Sequence, residues 1–218
     1  MITIYGVYRS RALRNIWFLE EAGVPFRLVP VIQSNRLSDP EAPDAPLHSR
    51  HPDYLKINPN GGIPAMDDDG FTLSESFAIN FYLARKFGPP IGTDDMAESA
   101  RFAQWSLFGA TEIEPHSIQI LYNRVQLPPD QRNEARVTEA LAALRTPLAT
   151  LDRALAANGY LVGGRFTVAD INVAEVVRYA MPVAGVLDGV PHVKAWYEAC
   201  HERPAWKKIW AERDKEPA

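Results

Sequence analysis

The sequence predicts an α/β amino-terminal half followed by an all-helical remainder. Three observations predict it. Ile2 to Val31 reads strand, helix, strand with short links, which is a βαβ unit. Two further strand signals flank an Asp69-Gly70 turn and predict a hairpin. Gly88-Pro89-Pro90-Ile91-Gly92 is a cluster of turn formers, and every periodic stretch after it is helical. The expected division is a first domain over 1–87, a linker over 88–93 and a helical domain over 94–218.

Ile2 to Val7 carries apolar residues on both faces, as in a strand covered by helices on both sides. Arg11 to Ala22 is a helix with Leu13, Ile16, Trp17 and Leu19 in one broad stripe, stopped at Gly23. Pro25 to Val31 is the second strand. Gln33 to Lys56 is polar and holds Pro40, Pro43, Pro46 and Pro52, so it reads as a long functional or mobile loop. Pro64 to Asp67 and Phe71 to Leu73 form the hairpin. Glu75 to Phe87 is a helix through Ala78, Ile79, Tyr82 and Leu83. Asp95 to Val125 is one helical segment bent or broken at Pro115, and Gln131 to Ala157 is another interrupted at Pro147. Thr167-Val168-Ala169-Asp170 has the form of a capping box, with Phe166 placed to pack on Ile171. Val193 to Glu202 and Ala205 to Glu212 are two more short helices.

A chain of 218 residues, 46% of them apolar, makes one large domain or two small ones. No run approaches the roughly 20 apolar residues that span a bilayer. Met1-Ile2-Thr3-Ile4 enters a strand pattern directly rather than a basic leader, so a soluble cytoplasmic protein with no membrane partner is expected. A net charge of −4 argues against general affinity for nucleic acid. The single cysteine, Cys200, excludes an intrachain disulfide, a cysteine zinc cluster and a Cys-x-x-Cys pair; it reads as a packing residue. The five histidines lack paired metal-ligand spacing, and no metal is expected.

Five stretches, in this order and spacing, resemble the cytosolic glutathione transferases over nearly the whole chain. They are Ser10-Arg11-Ala12-Leu13-Arg14, Glu20-Glu21-Ala22-Gly23, Asn58-Pro59-Asn60-Gly61-Gly62-Ile63-Pro64-Ala65, Leu73-Ser74-Glu75-Ser76-Phe77-Ala78-Ile79 and Phe166-Thr167-Val168-Ala169-Asp170-Ile171. The resemblance implies a thioredoxin-like N-terminal domain, an α-helical bundle after it, a homodimer, and glutathione as co-substrate. No cysteine lies near the first turn, so the chain resembles the serine-type members and departs from the cysteine type.

The glutathione thiol has an unperturbed pKa of about 8.5, and the thiolate is the nucleophile. Lowering that value by two units takes about 2.7 kcal/mol of preferential thiolate stabilisation. Ser10 lies between the first strand and the first helix, where the family places its activating residue. The residues alone favour a helix cap for Ser10; the resemblance favours a hydrogen bond to the thiolate. Tyr5 and Tyr8 are rivals, Tyr8 the more serious. Arg9, Arg11 and Arg14 cluster at the same turn; Arg14 reads as part of a solvated basic face, while Arg11 is placed to raise the local potential. Pro64 resembles the family's cis-proline, which would turn the Ile63 main chain toward the cysteinyl backbone of the tripeptide. Glu75 and Ser76 open a helix and match the ammonium and carboxylate of the γ-glutamyl end. Gly62 departs from the Lys, Arg or Gln that many members carry before the Ile/Val-Pro pair; His51, Lys56 or Asn60 are the candidates to compensate.

The second substrate, an apolar electrophile, is expected between the domains against the long helix. Phe108, Glu112, His116 and Gln119 recur there at helical spacing, and Tyr179 comes from a later helix. Trp105 reads as core or interface. Conjugation is the expected reaction. Glutathione-dependent disulfide or peroxide reduction is the alternative enzyme, and a non-catalytic binding scaffold is the alternative class.

Overall fold

The computed structural model describes residues 1–216 and divides into two compact units. The first is Met1–Ile91 together with the chain from Pro204 onward; the second is Gly92–Arg203.

The first unit is built on four strands: β1 (Ile2–Tyr5), β2 (Phe26–Val29), β3 (Ala65–Asp68) and β4 (Phe71–Ser74). Their order is β2-β1-β3-β4. β1 runs parallel to β2, with Ile2 opposite Phe26, and antiparallel to β3, with Tyr5 opposite Ala65. β3 and β4 form the expected hairpin. Asp69 and Gly70 both have positive φ, 51° and 97°, as a type I′ turn requires. Helices α1 (Ala12–Glu21), α2 (Pro52–Ile57) and α3 (Ser76–Phe87) complete the thioredoxin-like arrangement. α1 packs against α3 and is buried along its length, with Leu13, Ile16, Trp17, Phe18 and Leu19 fully inaccessible. α2 overlaps the end of the segment 33–56 expected as loop. Pro52 opens it at a first-turn position, where the missing N–H has no helical partner to lose. α9 (Pro204–Lys215) packs on α1 in this unit, with the Trp206 ring 4.7 Å from Trp17 and Lys208 2.6 Å from Glu20.

The second unit comprises α4 (Met96–Phe108), α5 (Glu114–Leu121), α6 (Glu134–Asn158), α7 (Val168–Arg178) and α8 (Pro191–His201). The break expected at Pro115 takes the form of a π-helical turn over Gly109–Ile113. That widened turn leaves Pro115 in the first turn of α5, where no N–H is needed. The interruption expected at Pro147 does not occur: α6 runs through it. Burial of Leu144, Leu148, Leu151 and Leu155 on one stripe outweighs the roughly 3 kcal/mol a mid-helix proline costs.

α7 is the axis of this unit, buried from Val168 to Val177. Its start is the expected capping box. The Asp170 carboxylate accepts from Thr167 N–H (2.8 Å) and Thr167 Oγ1 (2.9 Å) on one oxygen. The other oxygen accepts from Leu161 N–H (3.1 Å) and Trp196 Nε1 (2.9 Å). One carboxylate therefore ties the helix start, the preceding loop and α8. Among the described residues, no helix is long and apolar enough to cross a membrane.

Candidate functional site

In the first unit three segments converge on Gly6, at the end of β1. A Cβ on Gly6 would lie 2.6 Å from Ala12 Cβ, 2.9 Å from Ile63 Cγ2 and 3.5 Å from Ser10 Oγ. Only a hydrogen side chain lets the strand end, the start of α1 and the loop before β3 approach this closely. The Ser10 hydroxyl and the Ile63 side chain thereby flank the same point.

Ser10 Oγ donates to the Val7 carbonyl at 2.7 Å and accepts from the Ala12 N–H at 3.1 Å. The hydroxyl thus holds the first amide of α1 from one residue before the N-cap, which is Arg11 and not Ser10 as the residues alone suggested. The thiolate role remains open to it, because its proton rests on a neutral carbonyl. An anionic sulfur is the stronger acceptor. Tyr8 sits among acids: burial first, then Glu212, Glu20 and Glu216, push its phenol above its ordinary pKa. A hydroxyl in so negative a field is poorly placed to stabilise another anion. Tyr5 belongs to a small apolar cluster with Val31, Tyr54 and Ala65, its ring 6.4 Å from that of Tyr54.

The Ile63–Pro64 peptide is cis, as expected. The loop before it is held by Tyr54, which the sequence reading did not single out, and by Asn58, which it quoted without a role. The Gly62 carbonyl accepts from the Tyr54 hydroxyl and from Asn58 Nδ2 at 2.8 Å. Gly61 has φ 62°, and a Cβ there would meet the Ser49 carbonyl at 2.5 Å. Tyr54 is fully buried, and that burial pushes its phenol up to about 12, so it stays a donor at any working pH. Its signal in the sequence was an aromatic residue in an otherwise polar stretch. Tyr54→Phe removes one of the two donors to Gly62. We expect a stability loss of about 1 kcal/mol, read as a lower thermal midpoint. An unchanged midpoint would mean that Asn58 alone holds the loop.

His51 caps α2, its Nδ1 accepting from Asp53 N–H at 3.2 Å. Lys56 pairs with Asp53 at 2.7 Å, and Asn60 is exposed, its N–H on Asn58 Oδ1 at 3.2 Å.

At the start of α3, Glu75 has φ 69° and ψ 113°. A glutamate in that conformation stores about 1–3 kcal/mol of strain, a pattern concentrated at ligand clamps. Its side chain is exposed, whereas Ser76 is buried. Ser76 Oγ accepts from Arg14 Nη1 at 3.1 Å, which directs the hydroxyl's own proton away from the guanidinium. Asn15 Nδ2 holds the Ser76 carbonyl at 2.8 Å. Arg14 is therefore not on a solvated basic face. It is 2% exposed, because α1 turns it under α3, with its guanidinium 4.6 Å from the Phe77 ring centroid. Helical periodicity gave no sign of this, since a buried arginine breaks the apolar stripe. Arg11 is exposed at the turn, and Arg9 Nε donates to the Glu216 carbonyl at 3.1 Å.

In the second unit, the π-helical turn shifts the phase between Phe108 and His116. Phe108 meets Trp105 edge-on, with ring centroids 5.6 Å apart. Glu112 is exposed. His116 and Gln119 line a cavity of about 420 Å³ with Arg136, Glu139 and Ala140 of α6. Tyr179 is 5% exposed and lies under the Arg178 guanidinium, 5.0 Å from its ring centroid.

Comparison with known proteins agrees with this layout. The family model described as glutathione S-transferase, N-terminal domain, matches residues 9–86, and that described as glutathione S-transferase, C-terminal domain, matches residues 113–204. The chain is 32% identical to glutathione S-transferase F13 of Arabidopsis thaliana, covering 94% of this chain and 93% of that one. It is equally identical to glutathione S-transferase 3 of Zea mays, over 96% and 93%. Among solved structures, the theta class glutathione S-transferase of Xanthomonas axonopodis pv. citri, with glutathione bound, superposes with a TM-score of 0.80. Identity is 30%, and 95% of each chain is covered.

Proposed function

The chain belongs to the glutathione S-transferase family, and we propose that it joins the thiolate of glutathione to an electrophilic carbon of an apolar substrate. The observation that carries the reading is the convergence at Gly6, which sets the Ser10 hydroxyl beside Ile63. The residues fit the tripeptide along its length. The Ile63 main chain, next to Pro64, takes the cysteinyl backbone as a short added strand. Ser76 and the first amides of α3 take the γ-glutamyl carboxylate, and Glu75 takes the ammonium group. His51 and Asn60 are the proposed contacts for the glycyl end, where Gly62 offers no side chain.

Ser10 then donates to the sulfur and favours its ionised form. The thiol proton leaves to solvent, sulfur bonds to carbon, and the leaving group departs with its electron pair. Positioning and thiolate stabilisation supply the catalysis. Phe108, Glu112 and His116 are the proposed electrophile contacts. Tyr179, 5% exposed, is the remaining proposed contact and offers the electrophile only a small face. The reading includes a homodimer and a cytoplasmic location, both resting on family likeness.

Two measurements test this reading. Aryl halides should be conjugated while disulfides are turned over slowly or not at all; fast disulfide reduction would replace transfer by reduction. Glu75→Gly separates strain from binding. It should raise stability by about 0.5–1 kcal/mol, because glycine adopts φ 69° freely. It should also weaken glutathione binding by about tenfold or more, through loss of a charge-assisted contact. Unchanged affinity would leave the strained residue without a ligand role.

A further inference from the structure

After α9 the chain returns to the turn that carries Ser10. The Glu216 carboxylate accepts from the N–H of Tyr8 through Oε1 and from the N–H of Arg9 through Oε2, each at 2.8 Å. Arg9 Nε donates back to the Glu216 carbonyl at 3.1 Å. These are charge-assisted bonds across a separation of 207 and 208 positions. The N–H of Tyr8 and the carbonyl of Val7 belong to one planar peptide group. Ser10 Oγ rests on that carbonyl at 2.7 Å. Glu216 grips the peptide by its N–H edge, and the Ser10 hydroxyl lies on its C=O edge. Rotation of this peptide group would carry the acceptor of the Ser10 proton with it.

We propose that Glu216 is a positioning residue for Ser10, fixing the Val7–Tyr8 peptide against which the serine hydroxyl is aimed. The inference rests on Ser10 being the thiolate donor. It adds that the donor's geometry is set from residue 216 rather than by its own helix alone. Docking of α9 through Trp206 on Trp17 brings Glu216 within reach.

The test compares wild type, Glu216→Gln, Lys208→Ala and Ser10→Ala by two readouts: kcat and KM for glutathione, and the ionisation of the bound thiol followed by its thiolate absorbance. Glu216→Gln should lower kcat roughly tenfold and raise the bound thiol pKa by about one unit through loss of the Ser10 geometry, opposite in sign to the effect of removing a negative charge alone, with KM changed less than about twofold. Lys208→Ala removes a surface pair from the same helix without touching the turn, so kcat and thiol pKa should stay at wild-type values. A Glu216→Gln enzyme with wild-type kcat and thiol pKa, beside a displaced Ser10→Ala, would overturn the positioning role and leave the Ser10 reading intact. Equal displacement by Lys208→Ala would also overturn it, reducing Glu216 to a docking contact. A wild-type thiol pKa in Ser10→Ala would remove the premise.

Discussion

Ser10→Ala lowers turnover by about two orders of magnitude and leaves glutathione affinity within about threefold. The size follows from what is removed. A hydrogen bond to a charged partner is worth about 1.5–3 kcal/mol, or roughly 10- to 150-fold in rate. The affinity is spared because Ile63, Glu75 and Ser76 are untouched. The loss should depend on pH. With the donor gone, the bound thiol titrates at a higher pH, so the acid limb of kcat/KM moves upward. The defect is then largest in acid and shrinks above the thiol pKa. The substitution also strips the Ala12 N–H of its acceptor, at a cost of about 1 kcal/mol. A thermal midpoint measured alongside keeps that effect apart from catalysis. Full turnover in the mutant would remove Ser10 from the mechanism and turn attention to Tyr8.

Asp170→Ala has the largest expected effect on stability, about 3–5 kcal/mol. Four donors meet this carboxylate at 2.8–3.1 Å in a fully buried site. Alanine leaves all four buried without an acceptor, and each such group costs about 1–3 kcal/mol before the surroundings relax. Chemical denaturation of the whole chain measures the loss; a change below about 1 kcal/mol would contradict the account. Burial also pushes the Asp170 carboxyl up to about 6, against the opposing pull of its donors. The unfolded value is about 3.9, so the native state takes up this proton first. Asp170's contribution is therefore greatest below about pH 4 and declines as pH rises through about 6. Relative to Asp170→Asn, the wild type should gain stability on acidification across that window.

Features with a local cause were legible in the sequence. Asp69-Gly70 demanded a tight turn, Gly23 ended a helix, and Thr167 with Asp170 three residues on marked a helix start. Ser10, Ile63-Pro64 and Glu75-Ser76 were marked as the candidate site through the family resemblance that their order along the chain carries. Features fixed by distant contacts were not legible. Arg14 is buried because α3 covers it, and a single residue cannot report that. The Tyr54 bond to Gly62 depends on α2, which a proline-rich stretch concealed. Pro147 stays helical because a leucine stripe on its own helix is buried. Glu216 reaches Tyr8 and Arg9 only after the chain has returned from the second unit, and no local pattern encodes that path.

The central claim is that Ser10 holds bound glutathione as the thiolate. It is tested most directly by titrating the ultraviolet thiolate absorbance of bound glutathione against pH, in wild type and in Ser10→Ala. The account predicts ionisation well below the free-thiol value of about 8.5 in wild type, and an upward shift toward it in the mutant. Identical titrations in the two proteins, or no saturable glutathione binding at all, would contradict it.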